Sequence, residues 1–487
     1  MSSKFDYDLV VIGSGPSGQK AAIQAVKLNK RVALVDLNPH IGGICLYDGT
    51  IPSKSFREAI LHLSGYRERA HYGKSYCVKD NIGMQDLIDR CFNIQRDIEQ
   101  NIRSQLSRNK VEIIRGIGSI SAQHHVTVTC EETARSLSTH TIVIATGSRP
   151  RRPDGFDYDD EVILDSDTLL HISKLPRSMT IVGGGVIGCE YGSMFAALGV
   201  KVTILEAQSR LLSFVEEELI DSLVYRLREQ KASIITCDKV TRCLRTPDGR
   251  TVTYLESGKR VVSDIVLISA GRVPNTEALG LEKLNIKRNA RGNIEVNEHF
   301  QTSVENIYAV GDIIGAPALA STSMEQGRRA ACHAFGLTDR GDSLPIPSGI
   351  FAIPEIAMVG KTTTQLSAEK IPYEFGVSRF SEVDRGKIIG DNGGVLKILF
   401  HRNTLQILGV HIIGENATEL IHIGQTVMSL QGTIDYLCQA VFNYPTLSQA
   451  YKTAALDGMN KIISTQDIPD EIPLINGDLE ALTSTIN

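Results

Sequence analysis

The most restrictive feature of this 487-residue chain is a unit that it writes twice. In the first copy an apolar run, Asp8-Leu9-Val10-Val11-Ile12, enters Gly13-Ser14-Gly15-Pro16-Ser17-Gly18. A helix-forming stretch from Gln19 to Leu28 follows, and a second apolar run, Arg31-Val32-Ala33-Leu34-Val35, ends at Asp36. In the second copy Met179-Thr180-Ile181-Val182 enters Gly183-Gly184-Gly185-Val186-Ile187-Gly188. After a helical stretch to Leu198, the run Lys201-Val202-Thr203-Ile204-Leu205 ends at Glu206. A shift of 170 positions lays Gly13 on Gly183, Gly18 on Gly188 and Asp36 on Glu206. A repeat this regular is a duplicated structural unit. Short unbroken apolar runs alternating with helical stretches call for parallel strands buried on both faces. The expected class is therefore α/β with two such domains.

Each glycine of G-x-G-x-x-G has its own physical reason. Gly13 permits a tight turn, Gly15 lets backbone approach a pyrophosphate, and Gly18 lets the helix pack closely on the strand. Gly183, Gly185 and Gly188 repeat these roles. The helix start offers unpaired N–H groups and a positive dipole end to phosphates. Asp36 and Glu206 stand where a carboxylate accepts hydrogen bonds from a ribose. Two such sites in one chain imply two dinucleotides and a transfer between them. At the second site Glu206 favours the free 2′-hydroxyl of NADH and repels the 2′-phosphate of NADPH. Arg210, four residues on, is able to pair with that phosphate, so use of both nucleotides stays open.

The chain length predicts two to four domains. Hydrophobic content of 42%, charged content of 22% and 42 glycines fit a soluble α/β protein rich in turns. A net charge of −5 gives no sign of a nucleic-acid partner. The nine cysteines are scattered without C-x-x-C spacing, so neither a metal site nor a secreted disulfide framework is expected. The opening run Leu9–Ile12 is too short for a signal peptide or membrane span, and a reducing cytoplasm is the expected location. Residues 55–72 and 84–108 read as helices covering the sheet, with Ile88, Phe92, Ile98 and Leu106 inward. Residues 111–129 read as short strands around a His124-His125 turn. The stretch 466–487 has five acidic residues, no basic ones and two prolines, and reads as a flexible tail.

Between the two copies lies Gly42-Gly43-Ile44-Cys45-Leu46-Tyr47-Asp48-Gly49-Thr50-Ile51-Pro52-Ser53-Lys54. It closely resembles the redox-active segment of the flavin-dependent pyridine nucleotide-disulfide oxidoreductases, in which two cysteines five positions apart form a disulfide against the flavin. Here the second position is Thr50, so Cys45 has no partner for dithiol–disulfide cycling. The resemblance implies a glutathione-reductase-like fold with FAD at the first site and a nicotinamide nucleotide at the second. It implies that Gly42, Gly43, Cys45 and Lys54 lie beside the flavin and that Glu190 pairs with Lys54. Ala145-Thr146-Gly147 resembles the exit from the flavin domain, and Gly271 in Ser269-Ala270-Gly271-Arg272-Val273-Pro274-Asn275 the exit from the nucleotide domain. Gly311-Asp312 resembles the second flavin motif, with Asp312 on the ribityl hydroxyls and the helix from Ala320 aimed at the ring. The implied division is 1–150 and 275–345 for the FAD domain, 151–274 for NAD(P), 346–465 for an α+β dimerisation domain, and 466–487 for the tail. A homodimer or higher homo-oligomer follows from that third domain.

In the family's disulfide reductases a histidine before a Pro-Thr and a glutamate beyond it carry protons for the thiols. Here Phe442-Asn443-Tyr444-Pro445-Thr446-Leu447-Ser448-Gln449 puts Tyr444 and Gln449 there. Neither titrates near pH 7. Second cysteine, base and orienting acid are thus all missing together. The combination G-T-I-P-S-K with F-N-Y-P-T resembles the soluble pyridine nucleotide transhydrogenases, which implies hydride passage from NADPH through FAD to NAD⁺, with NAD(H) and NADP(H) as substrates. Direct hydride transfer demands no general base. The candidate catalytic residues are Cys45, Thr50, Lys54, Glu190 and Tyr444. Alternatives are an NAD(P)H oxidase or peroxidase cycling Cys45 through a sulfenic acid, a diaphorase or quinone reductase, a degenerate dihydrolipoamide dehydrogenase-like flavoprotein, and a non-catalytic flavoprotein subunit.

Overall fold

The computed structural model describes residues 5–337 and 344–466. The expected acidic tail lies outside this set, apart from Gln466 at the end of the last helix. In the first sheet Glu112–Arg115, Val32–Asp36, Tyr7–Ile12 and the second half of Thr133–Ile144 run parallel, with Ile307–Ala309 beyond. The first half of Thr133–Ile144 leaves that sheet to form an antiparallel meander with His125–Cys130 and Ile117–Ala122. The second sheet is wholly parallel, in the order Ser233–Ile235, Lys201–Leu205, Ser178–Val182, Ile265–Ile268, Ile163–Leu164. Its strands are continuous apolar runs because helices and loops cover both faces. Ile181, Val202, Ile204 and Leu267 are all 0% exposed, each contributing about 1.5–3 kcal/mol by burial.

The α/β class expected from the repeat is the one found, and the symmetry reaches individual hydrogen bonds. Gly13 N–H donates to Val35 O and Gly183 N–H to Leu205 O, both at 2.8 Å. A Cβ on Gly18 would stand 1.9 Å from Gly13 O, and one on Gly188 2.0 Å from Gly183 O. No side chain fits there, so helix and strand meet only through glycine. Two short strands, Ser148–Pro150 and Arg272–Pro274, pair antiparallel where the chain crosses between the two halves.

The third unit is a five-stranded antiparallel sheet, Ser348–Ile350, Ile356–Gly360, Ile407–Ile413, Val395–His401, Tyr373–Arg379, backed by the helices Ala417–Ser429 and Gln449–Gln466. It is tied to the rest by buried charge. Lys397 Nζ, 2% exposed, lies 2.8 Å from Glu216 of the second unit, itself 1% exposed. Glu216 also accepts from Thr363 N and Oγ1 at 2.9 and 2.8 Å. Burial alone would raise the Glu216 carboxyl, but Lys397 and Thr363 outweigh it and hold it below its ordinary range. The guanidinium of Arg57, 2% exposed, reaches Ala352 O at 3.1 Å and Glu355 at 3.2 Å.

One expectation is corrected. Phe92 is 53% exposed, not buried. The helix Met84–Arg108 buries Met84, Leu87, Cys91, Gln95 and Leu106. Those positions form a stripe at helical spacing, and Phe92 stands one residue, about 100°, off it. Ile88 and Ile98 sit at the stripe's edge, half-buried.

Lys397→Met leaves the Glu216 carboxylate buried without its cation, which costs about 3–5 kcal/mol. Urea unfolding at pH 7 should show this as a lowered midpoint with unchanged slope; an unchanged midpoint contradicts it. Because the Glu216 carboxyl is depressed on folding, its own contribution is present above the unfolded-state pKa and disappears as pH falls through the folded one.

Candidate active site

Two helices start on bare glycine turns. Gly15 caps Pro16–Lys27 and Gly185 caps Val186–Ala197, both with extended backbone and no side-chain hydrogen bond to the first turn. A Cβ at either glycine would meet no atom within 4 Å. The first-turn N–H groups therefore have no side-chain competitor, and the surrounding space suits phosphates. Asp36 Oδ2 accepts from Ser14 N at 2.7 Å and Oδ1 from Asn38 N at 2.8 Å. Glu206 repeats this with Gly184 N at 2.6 Å and Gln208 N at 2.8 Å. The two carboxylates thus brace their glycine turns, a role the sequence did not reveal. A carboxylate has about four acceptor positions, so each retains capacity for a ribose hydroxyl. The residues present fit two dinucleotides.

Between these turns the residues of the Cys45 segment converge. Gly42 and Gly43, at φ 137° and 62°, bend the chain into the short helix Gly43–Tyr47, which carries Cys45. The helix Thr50–Leu63 carries Thr50 and Lys54. Thr50, at the position of the absent second cysteine, is near enough to act on the Cys45 thiol. Burial pushes that thiol up; Asp312 adds to the rise, while Thr50 and Lys54 oppose it. Lys54 Nζ donates to both Glu190 oxygens at 3.0 and 2.8 Å. Glu190, 4% exposed, also accepts from Phe351 N at 2.9 Å, and Lys54 stands 4.9 Å from the centre of the Phe351 ring. Three units of the chain meet at this ion pair.

The remaining flavin-motif residues gather on the same side. Ala145 N–H donates to Ile12 O at 2.8 Å, closing the strand beside the first glycine turn. Thr146 exchanges two 2.9 Å hydrogen bonds with Asn275. Gly147 and Gly271 have φ of 67° and 97°, and a Cβ on either would touch nothing within 4 Å. Asp312 accepts from Ser148 Oγ at 2.7 Å, and Ser148 in turn accepts from Arg272 at 2.9 Å on both Oγ and its carbonyl. Gly311 N–H is held by Gln326 at 2.8 Å from the helix Ala320–Ala334. Phe351, Ser148, Arg272 and Gln326 were not foreseen. Their partners lie 15 to 164 positions away in sequence, and no local pattern reports such contacts.

Two expected residues stand apart. Tyr444 is 63% exposed and donates to the Asp384 carboxylate, a bond that raises its phenol pKa. Within one protomer it does not join the Cys45 cluster. Gln449 opens the last helix and lines a surface groove with Asp384, Phe442 and Lys452. Arg210, instead of standing free, pairs with Glu217 at 2.6 Å. Among the described residues no cluster of three or more His, Cys, Asp or Glu suits a metal ion, and no helix is long and apolar enough to cross a membrane.

Set beside known proteins, residues 7–327 match the family model of the pyridine nucleotide-disulphide oxidoreductases, and residues 346–455 match their dimerisation domain. The chain belongs to that family. It is 49% identical over 461 residues to the soluble pyridine nucleotide transhydrogenase of Mycobacterium tuberculosis, covering 94% of this chain and 98% of that one. Proteins of the same name from Azotobacter vinelandii and Marinomonas are 41% and 40% identical, covering 94% of this chain and 99% of theirs. Among solved structures, LpdA from Mycobacterium tuberculosis superposes with a TM-score of 0.85 at 27% identity, covering 92% of this chain and 99% of that one. The HOCl-induced flavoprotein disulfide reductase RclA from Escherichia coli gives 0.83 at 27% identity, with the same coverage of both chains.

The raised Cys45 thiol yields a pH prediction. Folding favours its protonated form, so thiolate, the reactive species, is scarcer at pH 7.5 than for a free cysteine. Iodoacetamide labelling of Cys45, followed by peptide mass spectrometry, should still be rising above about pH 9. A plateau below about pH 7.5 would reveal a stabilised thiolate and favour the peroxidase alternative.

Proposed function

We propose that the chain exchanges hydride between NADP(H) and NAD(H) by way of FAD, without a redox-active disulfide. The observation that carries this reading is Cys45 with Thr50, not a second cysteine, at the partner position beside an intact Lys54–Glu190 pair. The frame around the flavin position persists, and the electron acceptor that would lead away from it does not. The relatives named transhydrogenase, at 40–49% identity, support the same reading.

FAD, when bound, supplies a ring that takes up a hydride and gives it back. Gly13, Gly15, Gly18 and Asp36 would hold its pyrophosphate and ribose, Thr146 and Gly147 its adenine side, and Gly311, Asp312 and the helix from Ala320 its ribityl and ring. Gly183, Gly185, Gly188, Glu206 and Gly271 would hold each nicotinamide nucleotide in turn. The Lys54 ammonium offers positive charge to an electron-rich ring. Glu190 keeps it aimed, being itself fixed by Phe351 N–H. The near-complete burial of Glu190 and partial burial of Lys54 strengthen that field. No residue has to move a proton, which agrees with Tyr444 and Gln449 at the positions of the proton carriers. Leu430, Tyr436, Val441 and Leu456 are 45–93% exposed on the third unit, an apolar surface suited to a second copy of the chain; we infer a homodimer.

The test is anaerobic. NADPH should bleach the flavin of the holoenzyme, NAD⁺ alone should restore it, and thio-NAD⁺ should be reduced continuously. Lipoamide and glutathione disulfide should not be consumed. Lys54→Met should slow the transfer about 10²-fold with FAD retained. Restoration only by oxygen or a quinone would favour the oxidase or diaphorase instead.

A further inference from the structure

The repeat continues past its two acidic residues. Asp36 to Gly42 and Glu206 to Leu212 correspond position by position, and each loop closes back on the second residue of its own glycine turn. Gly42 N–H donates to Ser14 Oγ at 3.1 Å, and Leu212 N–H to Gly184 O at 3.0 Å. The adjoining Ile41 and Leu211 are each 1% exposed and pin the loops to the core. At the next corresponding position stand His40 and Arg210, each paired with a glutamate from a helix outside the repeat. His40 Nδ1 lies 3.2 Å from Glu99, and Arg210 Nη1 2.6 Å from Glu217.

Both ends of the Glu206–Leu212 loop are therefore clasped to Gly184, one by its N–H and the other by its carbonyl. The backbone of Arg210 is fixed beside the carboxylate that faces the 2′-position, while its side chain, 35% exposed, has freedom to reorient. Resting on the two-nucleotide reading, we propose that Glu217 sets nucleotide selectivity, holding the Arg210 guanidinium in an ion pair that a 2′-phosphate must displace. A guanidinium left unpaired would take the phosphate in a two-pronged, charge-assisted contact. That contact would bind NADP(H) tightly and slow its release. A single site serving two nucleotides in turn works only if neither product lingers. Glu217 lowers the gain from the phosphate, just as Glu206 lowers it by repulsion. The first turn of the helix Glu217–Glu229 favours the Glu217 charge through its positive end, and half-exposure of both partners keeps the exchange cheap.

Calorimetry on the holoenzyme with 2′,5′-ADP and 5′-ADP tests this apart from any flavin reaction. Glu217→Gln should tighten 2′,5′-ADP about two- to fivefold and leave 5′-ADP unchanged. Arg210→Gln should weaken 2′,5′-ADP by at least about tenfold, and adding Glu217→Gln to it should change nothing more. The proposal is overturned if Glu217→Gln leaves 2′,5′-ADP unaffected, if it shifts both ligands equally, or if Arg210→Gln binds 2′,5′-ADP like the wild type. A tie that merely anchors the loop would give the equal shift. Transfer from NADPH to thio-NAD⁺ by the wild type reads the underlying function separately. Its absence with the expected 2′,5′-ADP pattern sinks the transhydrogenase reading alone; its presence with an inert Glu217 sinks this proposal alone.

Discussion

The arrangement of the active site depends on one ion pair. Lys54 comes from the first unit, Glu190 from the helix that opens the second, and the Phe351 N–H that completes the carboxylate from the third. The pair is largely removed from water, with side-chain exposures of 26% and 5%, so each partner would be costly alone. That cost is what fixes the three units relative to each other at this point. In the proposed function the same contact supplies the positive charge beside the electron-rich ring. A structural constraint and an electrostatic one are met by the same atoms.

Around that pair the duplicated unit supplies two nucleotide cradles on one plan. Acid-to-turn hydrogen bonds, glycine crossings and even the closing loops agree between copies at a fixed offset. The copies differ at the rim, where His40 is replaced by Arg210. In the proposed function one cradle takes a cofactor that stays, the other nucleotides that come and go. On that proposal, selectivity resides in a few exposed charges and not in the backbone.

Much of this was legible in the sequence because its causes are local. The strands, the glycine turns and the terminal acids announce themselves through period and spacing. The expectation that disulfide chemistry is lost rested on Thr50, Tyr444 and Gln449 read against a family pattern, and the proposed function carries it forward. What was not legible depends on distant partners. Phe351 completes the carboxylate across 161 positions, and Arg57 and Lys397 are charged residues that are nevertheless 2% exposed. Their burial makes sense only beside Glu355 and Glu216. Phe92 was misplaced because Cys91 and Gln95 take the buried stripe that hydropathy would give to a phenylalanine.

In the proposed function this site holds one two-electron centre, the flavin, and no second one in thiol form. Anaerobic titration of the FAD-loaded protein with dithionite measures that directly. Full reduction after two electrons per flavin is the predicted result. Uptake of four, with the second pair absent in Cys45→Ser, would show an oxidised Cys45, as a disulfide or a sulfenic acid, in the path and contradict the account.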